Sequence, residues 1–200
     1  KAPQLIFENY EDISFQTPDN LKLTGWLLKP KNESDKIVIF VPGLRGNRTD
    51  EGYGTVGISQ ELIAQGYNVL LYDTRAHGDS EGKRFTLGDK EANDVLGAVD
   101  FVKNKGFSPG KIGLIGNSSG GISILMAIDK ISDVGALIID SAAARFGPII
   151  GDRLWHESHI PFFFDPTIFF FAKTFFEADF NAITPIDKLK LAKNRKILYL

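Results

Sequence analysis

The stretch Lys111-Ile-Gly-Leu-Ile-Gly116-Asn117-Ser118-Ser119-Gly120-Gly121, continued by Ile122-Ser-Ile-Leu-Met-Ala-Ile128, decides how the rest of the chain is read. Its first six residues are a short apolar run of the kind that fills a buried strand, and its last seven suit a helix. Between them lies Gly-x-Ser-x-Gly. A turn sharp enough to expose the Ser118 hydroxyl leaves no room for side chains two positions before and after it, and Gly116 and Gly120 stand there. The helix that follows would aim unbonded N–H groups and the positive end of its dipole at negative charge developing beside Ser118. Taken alone, the pattern equally suits a Gly/Ser-rich turn without chemistry.

Outward from this stretch the same kind of run recurs at Lys36–Val41, Tyr67–Tyr72, Val134–Ile139 and Lys196–Leu200. Each reads as a buried strand. Helical patterns lie between them, clearest after Gly88-Asp89, where Ala92, Val95, Val99 and Val102 recur at spacings of three and four. Strands alternating with helices give an α/β fold with a mostly parallel sheet covered on both faces. Before it, Tyr10–Gln16 and Lys22–Lys29, separated by Thr17-Pro18-Asp19-Asn20, read as an antiparallel pair. One segment breaks the alternation. Residues 146–180 hold ten of the 16 Phe together with Trp155, His156 and His159, and read as an insertion between two strands. Within it, Asp165 as N-cap and Pro166 at the first helical position predict a helix apolar on most sides (Ile168, Phe169, Phe170, Phe171, Phe175, Phe176), which must be covered on more than one side or meet something apolar.

The 200 residues suit a single domain. With 23 Lys and Arg against 25 Asp and Glu, a net charge of −2 supplies no basic field for nucleic acid or anionic lipid. The absence of cysteine removes thiolate nucleophiles and Cys-ligated metals, so a nucleophile must be oxygen or nitrogen. The three His form no i, i+4 pair with an acidic partner, so neither a metal nor a cofactor is expected. No apolar window is long enough for a membrane span; the richest, Ile160–Ala172, is interrupted by Asp165-Pro166. The chain begins at Lys1 and ends inside an apolar run, so both ends read as cut. A cytoplasmic setting is expected, with a removed signal or an anchor upstream of Lys1 as the alternative. Nothing in the sequence speaks to oligomeric state.

Two further motifs give Ser118 a context. Val41-Pro42-Gly43-Leu44-Arg45-Gly46 follows one strand, and Asp73-Thr-Arg75-Ala-His77-Gly78-Asp79-Ser80 follows the next. In this order the chain resembles the α/β-hydrolase superfamily, more narrowly its serine aminopeptidase, monoglyceride lipase and bile-acid-CoA acyltransferase-like branches. The resemblance runs from Tyr10-Glu-Asp-Ile-Ser-Phe15 and Leu23-Thr-Gly-Trp26 to Thr184-Pro185-Ile186-Asp187 and the last strand. It implies that Ser118 is the nucleophile, that the N–H groups of Leu44 and Ser119 form an oxyanion hole, and that the Phe-rich insertion is a cap. A second-layer helix packed on the sheet is the alternative reading of that insertion. Two departures stand out: Pro42-Gly43 where many relatives have His-Gly, and Ala76 where relatives usually have Gly.

A serine hydroxyl needs a base and an acid that orients the base. The resemblance implies the chain order Ser, acid, His, with the acid after the strand that here is Lys196–Leu200. Acid and His are therefore expected beyond Leu200, together with the last strands, in about 50 to 80 further residues. The candidates at hand are weak substitutes. His77 reads as structural, His156 and His159 as solvated or hydrogen-bonded, Asp140 as one strand early for the acid, and Arg45 as a solvated loop residue more than an anion contact. The expected function is a serine hydrolase of carboxylic esters (EC 3.1.1) acting through an acyl-enzyme, with a small-molecule ester or acyl partner and Trp155, Phe169 and Phe170 lining its pocket. Aminopeptidase and acyl-CoA thioesterase or acyltransferase chemistry remain open, since the fold does not choose among them. So does a non-catalytic homologue that binds a ligand or partner.

Overall fold

The structure, a computed structural model, describes residues 6–192 and 195–200. Residues 1–5 and 193–194 lie outside it. Seven strands form one sheet in the order β1-β2-β4-β3-β5-β6-β7. The first pair, β1 (Tyr10–Gln16) and β2 (Lys22–Leu28), is antiparallel, and β2 lies antiparallel to β4 (Asn68–Tyr72). From there β3 (Ile37–Val41), β5 (Ile112–Asn117), β6 (Ala136–Asp140) and β7 (Lys196–Tyr199) run parallel to β4. The expected α/β architecture is present, with strand bounds within a residue or two of those read from the sequence.

Period-2 alternation divides the core between the two faces. In β3, Ile37, Ile39 and Val41 point to one side, where they pack with Leu114, Leu137 and Ile139 under two helices. These are α2 (Glu91–Asn104), through Val95, Ala98, Val99 and Val102, and α3 (Ser119–Met126), through Ile124 and Leu125. Val38 and Phe40 point to the other side, beside Val69, Leu71 and Ile115, where α1 (Thr55–Ala64) brings Val56, Leu62 and Ile63. All five residues of β3 and of β4 are buried, as strands covered on both faces must be. Each such aliphatic side chain contributes about 1.5–3 kcal/mol. Among the described residues no helix is long and apolar enough to cross a membrane.

The Asp73–Ser80 loop is organised by a buried charge cluster. Arg75 donates from Nε to Asp94 Oδ1 at 2.8 Å and from its backbone N–H to Asp94 Oδ2 at 2.9 Å, while its two Nη atoms grip Asp19 at 2.8 and 2.9 Å. The guanidinium thus ties three segments together: the turn between β1 and β2, the end of β4, and α2. Burial raises the Asp94 carboxyl above its ordinary range, with the Arg75 hydrogen bonds pulling the other way. Removing one partner of such a group strands the others. Arg75→Met is expected to cost about 3–5 kcal/mol, read as a lowered urea midpoint at unchanged m; a shift below about 1 kcal/mol would show that water replaces the guanidinium.

Between β6 and β7 lies the Phe-rich insertion, with α4 (Phe146–Ser158), a 3-10 turn (Phe162–Phe164) and α5 (Asp165–Phe176), followed by α6 (Pro185–Leu189). One expectation changes here, and of the two alternatives expected for the apolar helix one falls. Phe164, not Asp165, occupies the N-cap of α5, so Asp165 and Pro166 both lie inside the first turn. The Asp165 carboxylate is turned instead onto α4, where an added Cβ at Gly151 would meet Asp165 Oδ2 at 2.6 Å. The side chain of an N1 residue is free to leave the helix axis, and a glycine opposite leaves space for it. Nor is α5 covered on several sides. None of its described side chains is buried, and its apolar contact runs through Phe169, which meets Phe180 edge-on at 5.6 Å.

Candidate active site

Strand β5 ends at Asn117, and Ser118 turns the chain into α3 with φ 51° and ψ −119°. That is a region L-residues seldom adopt, at a cost of about 1–3 kcal/mol. Two backbone hydrogen bonds hold it: the Ser118 N–H donates to the Asp140 carbonyl at 2.8 Å, and the Ser118 carbonyl accepts from the Ile122 N–H at 3.1 Å. The two glycines of the motif are required by contact. A Cβ on Gly116 would come within 2.6 Å of Ile124 Cδ1 and 2.7 Å of the Gly121 nitrogen, and one on Gly120 within 2.1 Å of the Val41 carbonyl oxygen. The first turn of α3 therefore lies directly against the end of β3.

That closeness brings the second loop to the serine. A Cβ on Gly43 would lie 3.1 Å from the Asn117 oxygen and 3.6 Å from Ser118 Cβ. The Gly46 N–H closes a turn onto the Gly43 carbonyl at 3.0 Å, with Arg45 at φ 63°. Leu44 sits in this turn with its side chain half exposed. Among the described residues its N–H meets no acceptor, and the Ser119 N–H belongs to the first helical turn, whose N–H groups have no intrahelical partner. Ser119 itself is buried, and among the described residues its hydroxyl has no hydrogen-bond partner. Ser118 Oγ, the turn carrying the Leu44 N–H and the N-terminus of α3 with the Ser119 N–H thus share one rim of the sheet. The arrangement can receive an acyl group and hold negative charge on its oxygen.

The loop carrying Leu44 is anchored by a residue the sequence reading did not single out. Arg48 donates from its backbone N–H to Asp73 Oδ1 at 2.8 Å and from Nε to Asp73 Oδ2 at 3.0 Å, and its guanidinium lies 5.1 Å over the Trp26 ring. Tyr53 is a second such residue. Burial and the nearby Asp140 charge push its hydroxyl up to about 12. The Asp140 carboxylate accepts from Ser141 Oγ at 2.7 Å. No sequence motif marks Arg48 or Tyr53, because each acts through a partner more than twenty residues away.

The three imidazoles lie elsewhere. His77 Nδ1 is 2.9 Å from the Arg75 carbonyl and 3.3 Å from Thr74 Oγ1, with its ring edge-on to Phe85. His159 Nδ1 is 3.3 Å from the Trp155 carbonyl, and His156 is exposed on α4. None of them has Ser118 or Asp140 as a hydrogen-bond partner among the described residues. Strand β7 brings Leu200 to the same rim, where its carbonyl accepts from the Ser141 N–H at 3.1 Å. Arg45 is exposed. Trp155 and Phe170 are exposed and Phe169 is half-buried, and the small cavity behind the elbow, lined by Pro42, Arg48, Tyr53 and Asn117, includes none of the three. Among the described residues no group of His, Asp and Glu side chains is arranged to hold a metal ion.

The insertion is tied to the rim at its far end. Glu177, at the C-cap of α5 with φ 57°, accepts from Arg84 Nη1 at 2.8 Å and from Lys90 Nζ. These side chains are half exposed, so Glu177→Gln should leave the urea midpoint of global unfolding essentially unchanged. Its effect belongs to local opening: limited proteolysis within α5 should accelerate up to about fivefold, as should adding salt to the unaltered protein. Equal cleavage rates in both would show that α5 is held by its apolar contacts alone.

Known proteins resemble this chain. The uncharacterised protein YqkD of Bacillus subtilis is 33% identical over 159 residues, which is 78% of this chain and 50% of that protein. The thiohydrolase aneE of Aspergillus aculeatus is 28% identical over 123 residues, 60% of this chain and 37% of its own length. Among solved structures, an esterase of Pyrococcus furiosus, Pf2001, superposes over the whole of this chain and 71% of its own with a TM-score of 0.75 and 29% identity. The chain thus spans about half the length of YqkD. A profile of the alpha/beta hydrolase family matches residues 38–193, with Ser118 and the turn around Leu44 inside the match, and the chain belongs to that family.

Proposed function

We propose that the protein is a serine hydrolase that cleaves carboxylic esters through an acyl-enzyme on Ser118. The observation that carries this reading is the Ser118 backbone, held at φ 51° at the start of α3 with the Gly43–Gly46 turn against it. Strain of this kind persists only where the surroundings enforce it, and here it exposes a hydroxyl beside backbone donors. The likeness to the Pyrococcus furiosus esterase supports an ester as the substrate.

In the reaction Ser118 Oγ attacks the ester carbonyl carbon and passes its proton to a general base, while the Leu44 and Ser119 N–H groups hold the oxyanion. The alcohol leaves with that proton. Water then attacks the acyl-enzyme, its proton going to the base and on to Ser118 as the acid departs. The family resemblance implies that the base and its carboxylate partner follow β7 in chain order, and β7 is the strand after which the Leu200 carbonyl meets the Ser141 N–H at this rim. The insertion is the cap, and Phe169, with Trp155 and Phe170 at its margin, is the surface that meets the acyl chain. Thioester hydrolysis at the same serine is the second reading, on the likeness to the thiohydrolase aneE.

The test is to treat the full-length protein with a fluorophosphonate and with p-nitrophenyl butyrate. Label on the peptide carrying Ser118, together with ester turnover, is expected. Label that survives Ser118→Ala, or full-length protein that neither labels nor turns over, overturns the assignment and leaves a ligand-binding member of the family.

A further inference from the structure

The outer side of the insertion carries more apolar surface than its own contacts use. Phe162, Phe163 and Phe164 occupy consecutive positions of the 3-10 turn and run straight into α5, where Phe171 and Phe175 follow. All five are between 47% and 76% exposed. Phe171 and Phe175 stack on one another at 5.7 Å and 17°, and they stand about 200° and 240° around the helix from Phe169, the residue turned inward onto Phe180. Their ridge is therefore the face opposite the one assigned to the acyl chain. At ~200 Å² for an aromatic side chain, the five expose roughly 600 Å², the upper end of the largest patch on a typical monomer.

We propose that this ridge is a homodimer interface, with the Phe162–Phe164 turn and α5 of one copy packed on the same elements of a second. Two such patches brought together bury about 1,200 Å², the lower bound for a specific interface. A patch that meets its own copy across a two-fold axis needs no complementary partner surface, only self-complementary shape. A straight helix ridge of stacked rings can provide that by lying antiparallel to its twin. Charge argues for protein over lipid as the occupant. Residues 146–180 carry Arg153 and Lys173 against Asp152, Glu157, Asp165, Glu177 and Asp179, a net −3. Both cations are engaged within the insertion, Arg153 by Glu157 at 3.8 Å and Lys173 by Asp179 at 2.6 Å. Surfaces that dock on anionic membranes are built the other way, with basic residues around the apolar face.

The experiment is sedimentation equilibrium of the full-length protein from about 1 to 100 µM, alone and as the double variant F171E/F175E. The wild type is expected to sediment as a dimer, with the double variant at least about 100-fold weaker in self-association and unchanged in circular dichroism, since two carboxylates facing their own copies cannot be paired. A wild type that stays monomeric across the range overturns the proposal. So does a double variant that dimerises as well as the wild type, or a monomer that floats with neutral phosphatidylcholine vesicles. The result is independent of Ser118: an inactive protein that dimerises through these rings leaves the interface standing.

Discussion

Replacing Ser118 by Ala in the full-length protein is expected to lower kcat/KM for a short p-nitrophenyl ester by about 10⁴-fold or more while leaving the fold intact. The change removes the attacking oxygen and little else, because the features that shape the elbow belong to the backbone. The Ser118 N–H still bonds the Asp140 carbonyl, its carbonyl still accepts from Ile122, and alanine tolerates φ 51° no worse than serine. The unfolding midpoint should therefore move by less than about 0.5 kcal/mol. A sharper contrast comes from the oxyanion side, where the proposed donors are N–H groups that side-chain changes leave in place. Leu44→Ala and Ser119→Ala should each keep turnover within about threefold of the wild type, because neither removes a donor. A loss at Ser119 as large as at Ser118 would mean that the buried Ser119 hydroxyl takes part in the chemistry, and the backbone account of the oxyanion hole would fail.

Gly120→Ala is expected to lose about 3 kcal/mol or more of stability, and the remaining folded protein should be inactive. The added methyl would sit 2.1 Å from the Val41 carbonyl oxygen and 2.7 Å from that of Pro42. Both obstacles are backbone, so neither can swing aside as a side chain tip would. Relief requires α3 to lift from the end of β3, which moves the Ser119 N–H, Ser118 and the turn bearing Leu44 relative to one another. The same substitution at Gly57 supplies the control, since nothing lies within 4 Å of a Cβ there and the residue belongs to α1. Gly57→Ala should stabilise by about 0.5–1 kcal/mol, so urea titrations of the two variants should shift in opposite directions. A Gly120→Ala protein as stable as the wild type would mean that α3 and β3 are not in the close contact seen here.

Much of this was legible because it is local or periodic. The runs at 36–41, 67–72, 111–116 and 134–139 became strands because continuous apolar character is what a sheet covered on both faces demands. The elbow was readable because the requirement for glycine at positions 116 and 120 is steric and falls at fixed offsets from Ser118. Even the departure at Ala76 has a physical reading: the residue sits at φ 60°, a conformation that glycine adopts without the steric cost alanine carries. What could not be read depends on partners far away in sequence. Arg48 meets Asp73, Tyr53 meets Asp140, and Glu177 meets Arg84 and Lys90, and no residue in these pairs announces its mate. The start of α5 was misplaced by one residue because an aspartate before a proline serves equally as cap or as first-turn residue, and the space above Gly151 decides between them. Its exposure also escaped the pattern, since an apolar helix says that it wants cover without saying where the cover is.

The bond from the Ser118 N–H to the Asp140 carbonyl spans twenty-two positions of chain and the whole of α3. It forms only once β6 has docked beside β5, so the strained turn cannot exist in a nascent chain that has delivered β5 and not yet β6. Loop-closure entropy places that docking among the non-local, slow events of folding. The exposed, strained conformation of this serine is thus a property of the assembled sheet and not of the Gly-x-Ser-x-Gly peptide. A covalent probe of Ser118 would count folded molecules as well as active ones.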